Sequence, residues 1–495
     1  MVEKFICEDN PKAAIEITYG SNSSRKITQY LAAGLATLGA VAMGTHLSWT
    51  SAAVVMLTSP TSEIPITYDE ASWIGSLITL GACAGAIPAG SIATQLGPKR
   101  TLQIIALPLL AAWYIIAFSG SVWMLYLARL LAGIGAGAIC VAAPMYVAEI
   151  AEAKIRGTLG TFFQLQITVG LLLGYILGGT IHDFKLLALI SSIVPITFLL
   201  TFSFMPESPV FLSSKGTINE ARKSLRYFRG KLYDIEDELS RIGENIREAT
   251  INKGRISELY KSRANAKAMI VSLALMFFQQ MSGINVVLFY AEPIFRDSGT
   301  SLPSSICAII IGIVQVLATL LSTVLIDRLG RKILLVISGT VMAICLGTFS
   351  LYFYLRELNL DLSCFTIVPL ACICIYLVVF SMGYGPIPWM MMGELFTEQT
   401  KGLACSISAA FNWTLAFTIT KLFPTLLQLL GMGLTFGLFA IISAGGAVFA
   451  IVMVPETKGK DVNEVQKLLL GQAVRQVNPI NYRDNDEIKT VTIKS

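Results

Sequence analysis

Long apolar stretches recur along the whole chain, and they constrain its fold more than any other feature. Each stretch approaches the roughly 20 residues that a helix needs to cross a hydrocarbon core of about 30 Å. Because lipid offers backbone groups no hydrogen-bond partners, we expect every stretch to be helical. The twelve stretches lie at approximately 27–48, 71–93, 101–120, 122–148, 159–181, 185–205, 266–290, 303–326, 333–355, 365–391, 402–424 and 431–454. The sequence therefore predicts an all-α membrane protein with twelve transmembrane helices.

Composition argues against a soluble enzyme. Only 14% of the 495 residues are charged, whereas soluble domains have roughly 25%. There are two histidines, and we find no phosphate-binding loop, no nucleophile motif and no metal-ligand cluster. The nine cysteines lie mostly inside spans, where small buried residues are the expected interpretation. We therefore predict that the protein is not an enzyme and needs no cofactor or metal.

The basic residues between the spans predict the orientation. One set of connections carries most of them, and the opposite set has only Lys185, Arg296 and Arg356. Because positive residues concentrate on the cytoplasmic side, both termini and the central segment are expected there. Membrane topology then accounts for the net charge of +5, and no nucleic-acid partner is required.

Two motifs recur and divide the chain into halves. "LGPKRTL" (96–102) is matched by "LGRKILL" (329–335), and "AEIAEAKIRG" (148–157) by "GELFTEQTKG" (393–402). Two parallel six-helix repeats of this kind are typical of transporters, with the substrate site between them. We predict a cytoplasmic N-terminus (1–26), a first half (27–205), a cytoplasmic linker (206–265), a second half (266–454) and a cytoplasmic tail (455–495).

The linker contains two segments that read as amphipathic helices, at 218–230 and 234–249. Two interpretations stay open for them, a solvated face on the membrane surface and a role in gating. The tail from about residue 472 is polar and is expected to be disordered.

Three amides interrupt the seventh apolar stretch, Gln279, Gln280 and Asn285. A polar group in a membrane span is costly unless it faces a partner or a water-filled path, so these amides indicate a functional site. At about 100° per residue, Gln279 and Asn285 would lie about 240° apart on an ideal helix. We therefore expect a break near Ser282 and Gly283.

Charged residues at the cytoplasmic helix ends suggest a latch. In the second half they are Asp327, Arg328, Arg331, Glu394 and Lys401, and in the first half Glu149 and Arg156. Charge-assisted pairs between neighbouring helix ends contribute about a kcal/mol each near a surface, which suits a contact that opens in every cycle. Orientation alone would explain the cations but not the paired carboxylates.

Several motifs together resemble the sugar porter family of the major facilitator superfamily. They are "RLLAGIGAGAICVAAPMYVAEIAEAKIRG", "PESP" (206–209), "QQMSGINVVLFY", "DRLGRK", "GYGPIPW" (383–389) and "PETKG" (455–459). Within the family, "GTHLSWTSAAVVML" in the first span is similar to insect facilitated trehalose transporters and their glucose-transporter relatives. The resemblance covers nearly the whole chain.

The resemblance implies a set of functional residues. Substrate-binding residues would be Gln164, Gln279, Gln280, Asn285, Gln315, Trp389, Asn412 and Trp413. Gating ion pairs would involve Arg129, Glu149, Arg156, Glu207, Asp327, Arg328, Arg331, Glu394, Lys401 and Glu456, and the outer gate would be Phe289 and Tyr290. The chain departs from the family pattern at Thr94, Pro98, Ser381 and Lys401, which leaves the details of gating open.

The resemblance also implies a function. We expect a facilitative transporter of the plasma membrane that moves trehalose or a hexose such as glucose by alternating access, with a monomer sufficient for transport. Proton-coupled relatives carry Asp at the position of His46, paired with the arginine matched by Arg129. We expect His46 to stay neutral and to act as a hydrogen-bond partner. A proton-coupled symporter and a sugar sensor that does not transport remain the alternatives.

Overall fold

The computed structural model describes residues 2–6, 14–18, 25–152, 154–230, 233–251, 262–460 and 462–470. These residues are almost entirely helical, and the spans predicted from the apolar stretches are present as helices. The β structure found among them is one antiparallel pair, β1 (Val2–Ile6) and β2 (Ala14–Thr18). Val2, Ile6, Ile15 and Ile17 are β-branched residues, which favour strands. The pair lies outside the membrane-spanning helices, and the predicted all-α membrane fold is confirmed.

Seven helices make up the first six spans. They are α1 (Lys26–Leu57), α2 (Tyr68–Leu96), α3 (Pro98–Ala117), α4 (Val122–Ile150), α5 (Arg156–Thr180), α6 (Phe184–Ser191) and α7 (Ile193–Phe202). Thr67 and Glu70 form a capping box at the start of α2, and α3 starts at Pro98 directly after Gly97, which has φ 95°. Proline is well suited to the first position of a helix, so Pro98 has a structural reason to stand where the family pattern differs.

The linker forms three helices, α8 (Pro209–Ser214), α9 (Ile218–Arg229) and α10 (Glu236–Ile251). Helices α9 and α10 overlap the two segments that the sequence predicts to be amphipathic helices. Arg229 is buried, donates to both carboxylate oxygens of Glu238 at 2.9 and 2.6 Å, and donates to the carbonyl of Ile150 at 2.8 Å. The linker is therefore packed against the end of α4, which a wholly solvated pair of helices would not be.

The second half contains the last six spans. Its helices are α11 (Arg263–Met281), α12 (Ile284–Phe289), α13 (Ala291–Ser298), α14 (Ser304–Leu329), α15 (Arg331–Glu357), α16 (Val368–Met382), α17 (Ile387–Leu395) and α18 (Glu398–Met453). A 3-10 turn at Ser363–Phe365 precedes α16, and α19 (Val462–Leu469) follows α18. The tail predicted to be disordered from residue 472 lies outside the described residues.

Eleven segments of the described chain are long and apolar enough to cross a membrane. The last of them, Thr400–Met453, has 54 residues and would be about 80 Å long, more than twice the hydrocarbon thickness. It is broken at Gly431, which has φ 74° and ψ 175°, a conformation that glycine adopts readily. This segment therefore supplies both the eleventh and the twelfth predicted spans.

Small residues allow α2 and α4 to pack backbone against backbone. A Cβ on Gly137 would lie 1.9 Å from the carbonyl oxygen of Ala82, and a Cβ on Gly133 would lie 2.2 Å from that of Ile78. No side chain fits there, so the "GIGAGA" segment serves close helix packing.

The two ends of the spans can be named by their connections. We call the end that carries α8–α10 the linker face, and the opposite end, with the connections at 58–67, 299–303 and 358–367, the far face.

Candidate functional site

The seventh span breaks where the sequence analysis expects it. α11 ends and α12 begins around Gly283, whose φ of 85° lies in the left-handed region. A Cβ at this position would be only 2.6 Å from the ring of Phe439. Ser282 donates to the carbonyl of Gln279 at 2.7 Å and lies 3.2 Å from the Tyr376 hydroxyl of α16. The break turns Asn285 back toward the glutamines.

Four of the predicted amides form one continuous chain of hydrogen bonds. Asn285 Nδ2 donates to Gln280 Oε1 at 2.6 Å, and Gln280 Nε2 donates to Asn412 Oδ1 at 2.9 Å. Asn412 Nδ2 donates to Gln279 Oε1 at 2.7 Å. Gln279 Nε2 then donates to the carbonyls of Tyr384 at 2.7 Å and of Gly385 at 2.8 Å. The seventh, tenth and eleventh spans are joined by this chain.

The four amides differ in their remaining capacity to bind. Both N–H groups of Gln279 are engaged, and Asn412 donates to Gln279 and to the sulfur of Met276 at 3.2 Å. Gln280 and Asn285 each use one N–H group and retain the other, since an amide has two such donors. Asn285 is also half-buried, whereas the other three are buried. Gln280 and Asn285 therefore keep a donor each that a hydroxylated ligand could use, while Asn412 holds Gln280 and Gln279 holds Asn412.

The remaining substrate candidates lie on other spans. Among the described residues, Gln315 Oε1 on α14 and Trp413 Nε1 on α18 are buried and have no hydrogen-bond partner. Such orphaned buried polar atoms call for an explanation, and a bound ligand would supply one. Gln164 on α5 and Trp389 on α17 are half-buried. The amide chain does not include any of these four residues.

Sequence reasoning missed two further groups. The carbonyls of Tyr384 and Gly385, which hold Gln279, lie in the "GYGP" turn between α16 and α17. The two glycines and the proline of this motif already indicate irregular backbone, whose carbonyls have no helical partner there. Gln166, two residues after the predicted Gln164, donates to the carbonyl of Gly34 at 2.9 Å, and its Oε1 atom is a buried orphan in the described structure. Its neighbour in the motif drew the prediction instead.

Two glutamates cap the N-termini of corresponding helices at the linker face. Glu207 accepts from the backbone N–H groups of Lys99 at 2.9 Å and Arg100 at 3.4 Å, at the start of α3. Glu456 accepts from those of Arg331 at 3.0 Å and Lys332 at 3.1 Å, at the start of α15. A carboxylate at a helix N-terminus satisfies free N–H groups and favours the helix dipole. Each glutamate therefore acts on the backbone, and the equivalence reflects the internal repeat.

The predicted latch of the second half is present in part. Arg331 donates from Nε at 3.2 Å and Nη2 at 2.9 Å to one oxygen of Glu394, and Thr457 donates to the other oxygen. These residues join the ninth and tenth spans to the segment after the twelfth. The carbonyl of Arg328 accepts from Lys458 at 2.7 Å, and Lys401 lies beside Gly393. The side chain of Asp327 lies outside the described residues.

The first half differs from the prediction. Glu149 accepts a hydrogen bond from Ser208 of the linker, and Arg156 donates to the carbonyl of Ala151 at 3.5 Å. The expected Glu149–Arg156 pair is therefore not formed by the described contacts. Ser208 lies in the "PESP" motif directly after Glu207, so this motif provides the partner of Glu149 in the described structure.

Arg129 is buried among neutral groups, which corrects its assignment to a salt bridge. It donates to the carbonyls of Ile74 at 2.9 Å and His46 at 2.7 Å, and to the hydroxyl of Thr50 at 2.5 Å. Its guanidinium also lies over a tryptophan ring at 5.3 Å. The His46 ring stacks on Trp113 at 3.8 Å between centroids. Arg129 therefore ties the first, second and fourth spans together through uncharged partners.

The two residues predicted as the outer gate lie near the far face, packed between the halves. Phe289 and Tyr290 are buried, and the Tyr290 hydroxyl lies 3.4 Å from the carbonyl of Thr420. A Cβ on Gly75 of α2 would be 2.6 Å from the same hydroxyl. Tyr290 therefore fills the space between the second and eleventh spans, which belong to different halves.

Other contacts join the halves nearby. The Ser51 hydroxyl of the first span accepts from the backbone N–H of Glu292 at 2.9 Å. On the fifth span, the Tyr175 hydroxyl donates to the carbonyl of Leu288 at 2.6 Å. Both contacts hold the segment around the gate against the first half.

Comparisons with known proteins agree with this architecture. The family model "Sugar (and other) transporter" matches residues 34–469. The chain is 38% identical over 482 residues to the facilitated trehalose transporter Tret1 of Polypedilum vanderplanki, covering 97% of this chain and 95% of that protein. It is 38% identical over 458 residues to Tret1 of Bombyx mori, covering 92% and 90%.

A solved structure with the same fold is the xylose transporter XylE from E. coli in a partially occluded inward-open conformation. The TM-score is 0.74 at 24% identity, with 88% of this chain and 99% of that chain covered. Its likeness supports the twelve-span arrangement in two six-helix halves. Since the family model spans most of the sequence, the chain belongs to the sugar transporter family, whose members are membrane transporters and not enzymes.

Proposed function

We propose that the chain is a facilitative transporter that carries trehalose across the plasma membrane by alternating access between its two halves. The observation that carries the proposal is the likeness to facilitated trehalose transporters over nearly the full length of both chains. A hexose such as glucose is the second candidate, because amides and aromatic rings suit either sugar.

The chemistry of the site supports a neutral polyol. An amide both donates and accepts, so Gln280 and Asn285 match sugar hydroxyls without placing a charge in the membrane. The orphaned atoms of Gln315 and Trp413 would receive partners when a sugar binds. Trp389 would offer an aromatic face to the apolar side of a sugar ring.

The contacts of Arg129 favour uniport over proton coupling. A symporter needs a group that gains and loses a proton during the cycle. The partners of Arg129 are two carbonyls and a hydroxyl, and His46 lies 3.1 Å from the carbonyl of Leu109. This arrangement needs no proton exchange to hold Arg129 in place.

The excess of basic residues supports placing the linker face in the cytoplasm. The proposed organisation is then a cytoplasmic N-terminus (1–26), two membrane halves (27–205 and 266–454), a cytoplasmic linker (206–265) and a cytoplasmic tail (455–495). With that orientation, the closed gate at Tyr290 would face the outside. The described arrangement would therefore correspond to a state closed toward the exterior.

Counterflow in liposomes tests the proposal. The purified full-length protein is reconstituted, and uptake of labelled trehalose and of labelled glucose is followed separately, with and without an imposed pH gradient. Trehalose counterflow that is indifferent to the gradient is the expected result. Glucose counterflow alone would move the assignment to a hexose carrier, and accumulation driven by the gradient would overturn uniport. Binding of sugar without flux would favour a sensor.

A further inference from the structure

A lysine in the eleventh span bridges the two halves at the far face. Lys421 Nζ donates to Asp69 Oδ1 at 2.7 Å and to Ser72 Oγ at 2.6 Å, and lies 4.3 Å from the centroid of the Trp73 ring. All three partners belong to the first two turns of α2. One side chain of the second half therefore has three separate contacts with the first half.

The side chains that contact this lysine are only partly exposed to solvent. The Asp69 side chain is 77% exposed, but that of Lys421 is 21% exposed, and Ser72 is buried. An exposed ion pair contributes little, whereas a cation over a tryptophan face is more strongly attracted where water is excluded. We expect Ser72 and Trp73 to contribute more to the contact than Asp69 does.

The neighbours of Lys421 contact the gate. The Tyr290 hydroxyl reaches the carbonyl of Thr420, and its ring packs on Phe423 at 5.2 Å between centroids. The same helical turn thus faces Tyr290 on one side and α2 on the other. Tyr290 also fills the space over Gly75 of the second span. When the eleventh span approaches the second, the lysine contact and the packing of Tyr290 therefore form at the same time.

We propose that Lys421, bound to Asp69, Ser72 and Trp73, is a clamp. It stabilises the state of the transport cycle in which the two halves are closed at the far face. This proposal rests on the proposed alternating-access function. The clamp must open before sugar can enter from the far face. Lys421 is thus a positioning residue, which sets the balance between the two states without touching the sugar.

The chain offers a matched control. Lys185 forms a salt bridge with Glu63, also at the far face, and the side chains are 29% and 71% exposed. Both of these residues belong to the first half, so their pair does not connect the two halves. Lys185→Met should leave the balance of states unchanged, while Lys421→Met, with a similar loss of charge, should shift it.

The test measures the balance directly. Spin labels are attached through non-natural amino acids at the exposed positions Thr61 and Leu360, in far-face connections of the first and second halves. Distances between the labels are measured in the reconstituted full-length protein. Lys421→Met should increase the ratio of long to short distances roughly three- to tenfold, the effect expected of a contact of about 1 kcal/mol. Trp73→Leu should act in the same direction, and Asp69→Asn should act less.

The result separates the clamp from the function. An unchanged distance distribution in Lys421→Met, or an equal shift in Lys185→Met, would overturn the clamp even if sugar flux is normal. A wild-type protein without sugar flux would instead overturn the proposed function.

Discussion

Gln280 Nε2 donates to Asn412 Oδ1 at 2.9 Å and so joins the seventh span to the eleventh. Gln279, the preceding residue, has both of its N–H groups on carbonyls of the turn in the tenth span. Adjacent glutamines of one helix therefore have different roles. Gln279 braces the turn, and Gln280 keeps a free donor for a ligand.

This difference predicts different phenotypes for the two alanine variants. Gln280→Ala should raise KM for the transported sugar about three- to tenfold, because a hydrogen bond contributes roughly 0.5–1.5 kcal/mol. Gln279→Ala should mainly lower the thermal unfolding temperature, because the carbonyls in the turn lose their donor. Uptake kinetics, corrected for the amount of protein at the cell surface, and thermal unfolding of both variants test this difference. An unchanged KM in Gln280→Ala would count against this site.

The break in the seventh span predicts a penalty for a side chain at Gly283. Gly283→Ala would place a Cβ on a residue with φ 85° and against Phe439, and left-handed backbone alone costs roughly 1–2 kcal/mol. We expect lower thermal stability and slower transport. Gly347→Ala is the control, because Gly347 is helical and nothing lies within 4 Å of its added Cβ. Equal unfolding temperatures for the two variants would contradict the argument.

The spans and the break were predictable because each follows from one local conflict. Apolar length alone decides whether a segment can cross the membrane. The positions of Gln279 and Asn285 cannot be reconciled on one regular helix, so the sequence itself points to Gly283. The order of bonds in the amide chain was not predictable, since every amide can pair with every other one and packing chooses among them.

Pairs between distant elements were harder to predict. Lys421 and Asp69 are 352 residues apart in the sequence, and no motif connects them. Arg129 looked like half of an ion pair, but the structure satisfies it with neutral oxygens. Likewise, nothing in the composition of "PESP" tells whether Glu207 meets a side chain or a helix N-terminus.

The contact between Arg331 and Glu394 predicts an effect on the transport cycle. It joins the ninth and tenth spans at the linker face, and the side chains are 11% and 28% exposed. Glu394→Ala leaves a partly buried guanidinium without this acceptor, at a cost of roughly 1–3 kcal/mol. This contact lies within one half, as the Lys185–Glu63 pair does, but it is more buried and also holds Thr457. We therefore expect its loss to alter the opening of the linker face and to change the ratio of the maximal influx and efflux rates several-fold.

The linker provides the control for that experiment. Glu236 pairs with Arg222 at 2.8 Å, but these side chains are 56% and 35% exposed and lie on the linker surface. Glu236→Ala should leave the ratio of rates unchanged. If Glu394→Ala behaves like Glu236→Ala, the contact at the linker face has no part in setting the balance between the two states.

The capping of α15 by Glu456 predicts a dependence of stability on pH. Burial alone would raise the pKa of this carboxyl group, but backbone N–H groups of Lys458, Arg331 and Lys332 and the charge of Arg331 outweigh burial and hold the pKa below its usual value. A carboxyl group whose pKa is lower in the folded state stabilises the fold fully above the unfolded pKa, about 4.3. This stabilisation is lost as the pH falls through the lower folded pKa.

Glu456→Gln should therefore unfold at a lower temperature than the wild type at pH 7, and the difference should narrow below about pH 4. Thermal unfolding of both proteins in detergent, measured from pH 7 downward, tests this. Other carboxyl groups titrate equally in both proteins, so the difference between the two curves isolates Glu456. A difference that stays constant over the whole pH range would contradict this argument. It would mean that Glu456 stabilises the fold through packing, because the packing of its side chain does not depend on protonation, whereas its acceptance of three N–H groups does.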